Sequence, residues 1–247
     1  MSRLLRSLTD REFHYCPGCS HGVIHRLIAE VIDELDIQEK TIGVCPVGCA
    51  VMANEYFNFD TQQAAHGRAP AVATGIKRML PDRVVFTYQG DGDLAAIGIG
   101  EFIHAVARSE NLTTIFVNNA IYGMTGGQMA PTTLLGQQTA TTPTGRSSKQ
   151  AGFPLRIAEM AATISGAAYV TRVSVHSPGH IRAAKTAIRT GFQNQLDEKG
   201  YSLIEILAAC PTNLGLSPAD ALAWVEQQMV PYFPLGEFST TERMVQP

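Results

Sequence analysis

Residues 84–93 read VVFTYQGDGD, a run of β-forming residues that passes directly into a turn of glycine and aspartate. Residues 113–119 read TTIFVNN and repeat this arrangement, with two asparagines at the exit. Continuous apolar runs of this length are typical of strands that are buried on both faces of a parallel sheet. Because the carboxyl ends of parallel strands share one edge of the sheet, we expect the two polar exits to lie side by side.

Strands and helices alternate along the rest of the chain, as the spacing of its apolar residues indicates. The other predicted elements are, in order, a helix at 21–36, a strand at 41–45, helices at 67–80 and 94–109, a strand at 168–175, a helix at about 178–196 and a strand at 201–207. This alternation predicts a single α/β domain over residues 1–247, with a mostly parallel sheet covered by helices on both faces. Residues from about 232 to 247 are expected to form a C-terminal tail.

Between residues 122 and 153 the chain is rich in glycine, threonine and glutamine and has no clear period. A structureless loop of about 30 residues is uncommon in a compact domain unless it has a function. We therefore interpret this segment as one that covers a ligand.

The composition argues against several classes of protein. The 247 residues are 45% hydrophobic and 17% charged with a net charge of -3, and no run of like charges suggests nucleic acid as a partner. No apolar run reaches the roughly 18 residues of a membrane span, and the apolar part of the N-terminal stretch is too short for a signal sequence. A cytoplasmic protein with no nucleic-acid or membrane partner is expected.

The turn of glycine and aspartate predicts a phosphate and metal site. Its glycines let backbone N–H groups approach a phosphate at the start of the following helix. Mg²⁺ prefers hard oxygen ligands, which Asp91, Asn119 and the main-chain carbonyl of Ile121 would supply. Such a turn is common and therefore weak evidence by itself, but the asparagine pair at this separation strengthens it. Asp93 has two interpretations, as an acid that caps the helix or as a residue on the phosphate side.

The five cysteines are an odd number in a chain without a predicted secretory signal, which argues against a disulfide framework. Cys16 and Cys19 share one CPGC turn, a spacing found in zinc sites, iron–sulfur clusters and redox dithiols. A thioredoxin-like dithiol ranks lower, because no strand precedes the turn. Cys49 and Cys210 each follow a predicted strand and would complete a set of four thiolates. Cys45 lies within a strand and is expected to be a buried structural cysteine.

Taken in order, these motifs resemble one family. They are YCPGCSHG at 15–22, GVCPVGC at 43–49, AAHGRAPAVATGIK at 64–77, GDGD at 90–93, NN at 118–119, IYGMTGGQMAPTT at 121–133 and ILAACPTN at 206–213. Over residues 15–213 the chain is similar to the β subunit of 2-oxo acid:ferredoxin oxidoreductases, with Ser20 standing where that family more often has glycine. The resemblance implies a thiamine-diphosphate-binding fold, with thiamine diphosphate, Mg²⁺ and a 4Fe-4S cluster as cofactors.

The resemblance also implies roles for individual residues. The cluster ligands would be Cys16, Cys19, Cys49 and Cys210, and the Mg²⁺ ligands would be Asp91, Asn119 and Ile121. The cofactor-binding residues would be Gly90, Asp91, Gly92, Asp93, Asn119, Ile121, Tyr122, Gly123 and Thr125. His66 and Arg68 would lie near the reacting end of the cofactor as catalytic residues, although His66 taken alone could equally be a partly buried structural histidine. For His14 and His21, surface or capping roles suffice.

The activity that the resemblance implies is oxidative decarboxylation of a 2-oxo acid to acyl-CoA and CO₂, with electrons passed to ferredoxin. The implied partners are an α subunit that binds the aminopyrimidine, a γ subunit, a ferredoxin-like δ subunit, ferredoxin and coenzyme A. Two alternatives remain open, a non-oxidative thiamine-diphosphate-dependent decarboxylase subunit and a zinc-binding module without catalytic activity. The first has no use for four cysteines at strand ends.

The substrate is expected to be a branched-chain 2-oxo acid such as 3-methyl-2-oxobutanoate (2-oxoisovalerate), with 2-oxoglutarate second. A dicarboxylate needs a cation at the far end of its pocket, because an unpaired buried carboxylate is strongly disfavoured. Residues 50–57, AVMANEYF, are the stretch expected to line that pocket, and they contain neither lysine nor arginine. Arg68 or a partner chain could still provide the cation.

Overall fold

The computed structural model describes residues 5–239 and contains one seven-stranded sheet with strand order β2-β1-β3-β4-β6-β5-β7. The strands are β1 (Thr41–Cys45), β2 (Asp60–Gln63), β3 (Val84–Gly90), β4 (Thr113–Asn118), β5 (Ala167–Ser174), β6 (Tyr201–Leu207) and β7 (Gly236–Ser239). All neighbouring strands are parallel except β7, which runs antiparallel to β5. This confirms the predicted mostly parallel α/β sheet.

Ten α-helices accompany the sheet within the described residues. They are α1 (His21–Leu35), α2 (Ala53–Tyr56), α3 (Ala69–Met79), α4 (Ile99–Ala107), α5 (Ser148–Ala151), α6 (Ile157–Ala162), α7 (Pro178–Leu196), α8 (Pro211–Leu214), α9 (Pro218–Trp224) and α10 (Val230–Tyr232). Short 3₁₀ helices occupy Gln38–Lys40 and Cys49–Met52, and π-helical turns occupy Gly92–Ile97 and Val225–Met229. No helix within residues 5–239 combines the length and the apolar character that a bilayer crossing requires.

Each face of the sheet carries its own hydrophobic core, because successive strand residues point to opposite faces. On one face Ile28 of α1 and Phe192 of α7 pack with Phe86 of β3. On the other face Phe102 of α4 packs with Val85 of β3, together with residues of α3 and α6. Burying a side chain of this size stabilises a fold by about 1.5–3 kcal/mol. The helices are therefore held on both faces, as the sequence predicts.

The helix predicted at 94–109 is divided at Gly98. The π-helical turn ends there, with the Gly98 N–H donating to the carbonyl of Asp93 at 2.8 Å, and α4 follows. A Cβ at Gly98 would lie 2.5 Å from the carbonyl oxygen of Gly67, so only glycine allows this approach. A π-helical turn inside a helix is often found at a functional site.

Two edge strands were not predicted. β2 (Asp60–Gln63) is polar and short, so it has no apolar pattern to reveal it. β7 (Gly236–Ser239) lies within the expected tail of about 232–247 but is part of the sheet, because it pairs with β5. Residues 240–247 of that tail lie outside the described residues.

Candidate functional site

A cavity of about 210 Å³ lies at the carboxyl ends of β1, β3 and β4. Its lining comes from the loops after these strands and includes all the expected cofactor-binding residues, namely Gly90, Asp91, Gly92, Asp93, Asn119, Ile121, Tyr122, Gly123 and Thr125. The remaining lining residues are His21, Pro46, Val47, Gly48, Cys49, Ala50, His66, Ile97 and Met124. In the pairing of β3 with β4, Gly90 lies beside Val117. The polar turns that follow the two strands therefore lie side by side, as expected.

Asp91 places a buried carboxylate at this cavity. Its Oδ1 accepts a hydrogen bond from the Gly92 N–H at 2.9 Å, and its Oδ2 accepts from the Ile121 N–H at 3.1 Å and the Thr132 hydroxyl at 3.0 Å. Within residues 5–239 it forms no ion pair, and burial raises the pKa of Asp91 to about 7. A buried carboxylate held only by neutral donors has a charge that a bound cation would neutralise, so Asp91 suits a metal ligand.

The two asparagines after β4 have different roles. Asn118 builds the turn, since its Oδ1 accepts from the Ala120 N–H at 3.2 Å and its Nδ2 donates to Glu205 Oε1 at 2.7 Å. Ala120 adopts a left-handed φ of 59° in this turn. Asn119 therefore lines the cavity, where its Oδ1 accepts from the Ile121 N–H at 3.3 Å. Asn119 is the asparagine that we expected at the cofactor site, whereas the structural role of Asn118 was not predicted.

The long segment at 122–153 lines the cavity with its first four residues, 122–125, and is held by one buried arginine. Arg146 donates to six main-chain carbonyls, those of Ala130, Pro131, Thr133, Ala151, Gly152 and Phe153. Within the same segment the Thr132 hydroxyl donates to Asp91, and the Thr133 hydroxyl donates to the carbonyl of Ala120 at 2.7 Å. Arg146 thus fixes the segment whose Thr132 hydroxyl holds Asp91, a role that nothing in the sequence indicated.

Arg146→Met should lower the free energy of unfolding by about 3 kcal/mol, because it leaves buried carbonyls without donors. Denaturant unfolding of the two proteins measures this difference. The matched control is Arg156→Met, which removes an exposed arginine whose guanidinium lies 4.7 Å from the Tyr232 ring centroid. That control should change stability by less than about 1 kcal/mol. Equal losses in the two variants would contradict the role given to Arg146.

Asp93 lines the cavity but does not cap the π-helical turn, so the capping interpretation is wrong and the role on the phosphate side stays a prediction. Its Oδ1 lies 2.6 Å from His66 Nδ1 and accepts from the Gly67 N–H at 2.9 Å. Its Oδ2 accepts from Gln89 Nε2 at 2.6 Å. The carboxylate therefore joins the HGR turn to the exit of β3, and the capping position of the π-helical turn is Asp91 instead.

The structure brings His66 to the cavity but not Arg68. His66 is among the lining residues, whereas the half-exposed Arg68 side chain forms an ion pair with Glu101 of α4. The segment at 50–57 is also displaced from its expected place. Only Ala50 of that segment lines the cavity, and Ala53, Tyr56 and Phe57 are buried in the core instead.

Two of the four expected cluster cysteines meet at Gly123. A Cβ built on this glycine would lie 3.0 Å from Cys49 Sγ and 3.5 Å from Cys210 Sγ. Burial raises the pKa of Cys19 to about 11, with contributions from the neighbouring Cys210 and Cys16 thiols. Burial likewise raises the pKa of Cys49 to about 12, with contributions from all three other thiols. Cys49 and Cys210 thus lie together at Gly123, and the thiols of Cys16, Cys19 and Cys210 all influence the pKa of Cys49.

Cys45 differs from these four thiols. It is buried in β1, and burial alone raises its pKa to about 12. Within residues 5–239, no three histidine, cysteine, aspartate or glutamate side chains converge tightly enough to surround a single metal ion. This geometry does not separate a zinc site from an iron–sulfur cluster, so both interpretations of the cysteine set stay predictions.

Histidines behind the CPGC turn are more buried than the sequence suggested. His21 was expected at the surface or in a cap, but it is buried with its Nδ1 2.6 Å from the Tyr88 hydroxyl. Burial lowers the pKa of His21 to about 4, so the ring is neutral. His25 is fully buried as well, with its Nε2 2.6 Å from the Tyr15 hydroxyl. His14 is exposed, as expected, and contacts the Tyr56 hydroxyl. Residues 21 and 25 lie at helical spacing with Ile24 and Ile28, and this spacing could have predicted that both histidines are buried.

Comparison with known proteins identifies the family. Residues 46–206 match the family model described as thiamine pyrophosphate enzyme, C-terminal TPP binding domain. The ketoisovalerate oxidoreductase subunit VorA of Methanothermobacter thermautotrophicus is 49% identical over 234 residues, which are 95% of this chain and 49% of the relative. This chain thus spans about half the length of that relative. The 2-oxoglutarate synthase subunit KorB of Archaeoglobus fulgidus is 38% identical over 213 residues, or 86% of this chain and 75% of the relative.

A solved structure shares the fold. It is described as 2-oxoglutarate:ferredoxin oxidoreductase from Magnetococcus marinus with 2-oxoglutarate, coenzyme A and succinyl-CoA bound, and the match has a TM-score of 0.77 at 24% identity. The match covers 98% of this chain and 86% of that chain. Together with the family model and the sequence relatives, the fold and the cavity lead to one conclusion. The chain belongs to the thiamine-pyrophosphate-binding subunits of the 2-oxo acid:ferredoxin oxidoreductase family.

Proposed function

We propose that this chain is the thiamine-diphosphate-binding subunit of an enzyme that oxidatively decarboxylates a 2-oxo acid to acyl-CoA and CO₂. Electrons would pass through a 4Fe-4S cluster on this chain to ferredoxin. The observation that carries the proposal is that one cavity is lined by both Asp91 and the Cys49 thiol, with the Cys210 thiol beside the same loop. Bound thiamine diphosphate supplies an electron sink for decarboxylation, and an iron–sulfur cluster accepts electrons.

Asp91, Asn119 and the carbonyl of Ile121 would hold Mg²⁺, and the glycines of the GDGD turn would leave its backbone open to the diphosphate. Two features support this assignment. The buried Asp91 carboxylate has only neutral donors around it. A Cβ at Gly92 would lie 3.0 Å from the Tyr122 ring, so a side chain there would be forced against the cavity wall. Glycine keeps the start of the helix accessible to an anion.

Cys16, Cys19, Cys49 and Cys210 would hold the cluster. Two observations support this assignment. The neighbouring thiols help to raise the pKa values of Cys19 and Cys49. A side chain at position 123 would collide with Cys49 Sγ, so Gly123 leaves room beside the thiols. Because Cys49 also lines the cavity, the cluster would lie next to the reaction site. This placement suits direct electron transfer, and the thiolate ligands suit the reducing cytoplasm.

Partner chains would complete the site. Ile97 and Met124 line the cavity although their side chains are 50% and 59% exposed, and Phe153 on the covering segment is 68% exposed. Exposed apolar groups around a cavity mouth are typical of a protein interface. We assign this face to the α subunit that binds the aminopyrimidine. The γ subunit, the ferredoxin-like δ subunit, ferredoxin and coenzyme A are further proposed partners.

The proposed substrate is a branched-chain 2-oxo acid such as 3-methyl-2-oxobutanoate, with 2-oxoglutarate second. No lysine or arginine of the described residues lines the cavity, and Pro46, Val47 and Ala50 form an apolar stretch of its wall. A dicarboxylate would leave its distal charge without a partner on this wall. The 49% identity to a ketoisovalerate oxidoreductase subunit supports the same choice.

This preference can be measured as a ratio of kcat/KM values on the purified complex. We expect the branched-chain acid to be favoured at least tenfold over 2-oxoglutarate, about 1.4 kcal/mol of transition-state discrimination. Val47→Lys should shift the ratio toward 2-oxoglutarate by adding a cation to the wall, whereas the uncharged control Val47→Met should not. A wild-type preference of tenfold for 2-oxoglutarate would overturn the assignment.

A further inference from the structure

We propose that Asp93 is a positioning residue that fixes the tautomer and the orientation of His66. In this proposal a buried chain of side chains behind Asp93 holds the carboxylate in place. The kinetic consequence of the proposal rests on the proposed function, because it assumes that His66 acts on a substrate in the cavity. The structural part does not depend on that assumption.

The hydrogen-bonded chain runs from the cavity across the sheet. Its links are His66 Nδ1 to Asp93 Oδ1 at 2.6 Å, Asp93 Oδ2 to Gln89 Nε2 at 2.6 Å, Gln89 Oε1 to Thr87 Oγ1 at 3.0 Å, Thr87 Oγ1 to Thr114 Oγ1 at 2.8 Å and Thr114 Oγ1 to the Tyr201 hydroxyl at 2.5 Å. Every member behind His66 is buried. The chain therefore connects β3, β4 and β6 to one imidazole at the cavity.

The chemistry of these groups decides which one donates each proton. The Thr87 hydroxyl donates to Gln89 Oε1, which turns the Gln89 amide group so that its Nε2 donates to Asp93. A carboxylate only accepts, so the second oxygen of Asp93 accepts from the Gly67 N–H and from His66 Nδ1–H. The neutral ring of His66 then carries its proton on Nδ1. Its Nε2 has the free lone pair.

The backbone that carries His66 is also fixed. Gly67 has a φ of 78°, and a Cβ there would lie 2.6 Å from the Ile97 side chain and 2.8 Å from the Gly98 N. Gly98 packs against the Gly67 carbonyl in return. With both its ring and its main chain held, His66 has little freedom to rotate. Fixed catalytic groups of this kind lower the entropy that must be lost on reaching the transition state.

Helix capping does not require this arrangement. The Asp93 side chain is 1% exposed, and its hydrogen bonds within residues 5–239 go to the HGR turn and to Gln89. An exposed serine or asparagine could cap a helix without burying a charge. Within the same residues no hydrogen bond to His66 Nε2 occurs, and His66 lines the cavity. The lone pair is thus available to accept a proton from a bound substrate group and to return it.

The tautomer can be observed directly by nitrogen NMR on the full chain labelled with [¹⁵N]histidine. Long-range ¹H–¹⁵N spectra distinguish a protonated ring nitrogen from an unprotonated one, and His66→Gln assigns the signals by removing them. We expect His66 in the wild-type chain to be protonated at Nδ1 and unprotonated at Nε2 whenever the ring is neutral. A neutral His66 that is protonated at Nε2 would overturn the proposal without any assay of activity.

Asp93→Asn tests the consequence for function. The amide keeps the size of the side chain but allows its NH₂ group to face the ring, which favours the other tautomer, as it does when the aspartate of a serine protease triad is replaced by asparagine. In the assembled complex, kcat should fall about 100-fold or more while KM changes little. The thermal midpoint should fall somewhat, as in the control below, because an NH₂ group that faces the ring no longer accepts from the Gly67 N–H. Unchanged kcat together with the wild-type tautomer in the variant would contradict the proposal.

The matched control is Asp33→Asn. Asp33 is another buried carboxylate, which accepts from the main-chain N–H groups of Arg6 and Ser7 and from the Ser7 hydroxyl, and it lies outside the cavity lining. This variant should lose some stability but retain kcat. Equal losses of kcat in both variants would show that Asp93 only stabilises the fold and does not position His66. A wild-type complex that shows the expected tautomer but oxidises no 2-oxo acid would support the positioning and contradict only the proposed function.

Discussion

Cys210→Ser, purified anaerobically, should contain almost no iron or acid-labile sulfide and should lose the iron–sulfur absorption. A serine oxygen is a poor substitute for a thiolate ligand of iron, because soft sulfur ligands are those that such clusters use. Cys49→Ser should behave in the same way, since both thiols lie against Gly123. The measurement is iron and sulfide analysis together with the visible spectrum.

Cys45→Ser is the matched control for these two variants. Its thiol is buried in β1, and the other thiols make no contribution to the rise in its pKa, in contrast to Cys19 and Cys49. The variant should therefore keep the cluster, with at most a loss of stability from burying a hydroxyl. Full iron content in Cys210→Ser would remove that residue from the ligand set. Zinc in place of iron in the wild-type protein would favour the zinc-module alternative.

Asp91→Ala should weaken the binding of thiamine diphosphate in the presence of Mg²⁺ at least 100-fold, about 2.7 kcal/mol. Asp91 is the one carboxylate that we assign to the metal, and neutral ligands alone hold Mg²⁺ weakly against water. Calorimetric titration of the assembled complex measures the change. Asp33→Ala is the control, since it should reduce stability and leave cofactor affinity unchanged. Wild-type affinity in Asp91→Ala would mean that the GDGD turn is only structural.

The same variant has an expected effect on the cofactor-free chain. Burial raises the pKa of Asp91 to about 7, which is above the ordinary value for aspartate. A carboxyl whose pKa is raised on folding favours the folded state below its unfolded pKa, and this advantage is lost as the pH rises toward 7. Above that pH the buried charge destabilises the chain. Without cofactor, Asp91→Ala should therefore be at least as stable as the wild type at pH 8. Raising the pH from 5 to 8 should lower the free energy of unfolding of the wild type more than that of the variant.

The parts of the fold that the sequence predicts are those with strong local patterns. β1 (Thr41–Cys45), β3 (Val84–Gly90) and β4 (Thr113–Asn118) are apolar runs, so their identity as buried strands follows from the sequence. β3 and β4 also end in polar turns, which predicts that their ends meet. β2 (Asp60–Gln63) and β7 (Gly236–Ser239) have four residues each at the sheet edges. Their pairing depends on neighbouring strands, and their own residues do not indicate it.

The candidate site also has parts that the sequence predicts and parts that it does not. The position of Asp91 and Asn119 follows from parallel strands, whose ends must share one edge. The contact of His66 with Asp93 and the pairing of Arg68 with Glu101 depend on how the HGR turn packs on α4, which the spacing of residues does not define. Arg146 is a similar case, because its six carbonyl partners come from the folding of one irregular segment.

The most direct test of the central claim is reduction of ferredoxin by the anaerobically purified complex, with 3-methyl-2-oxobutanoate as substrate. The complex should reduce ferredoxin only when the 2-oxo acid and coenzyme A are both present, and it should form one acyl-CoA for each CO₂ released. Asp91→Ala should abolish the reaction. Release of CO₂ with formation of an aldehyde, without reduction of ferredoxin and without need of coenzyme A, would contradict the account and identify a non-oxidative decarboxylase.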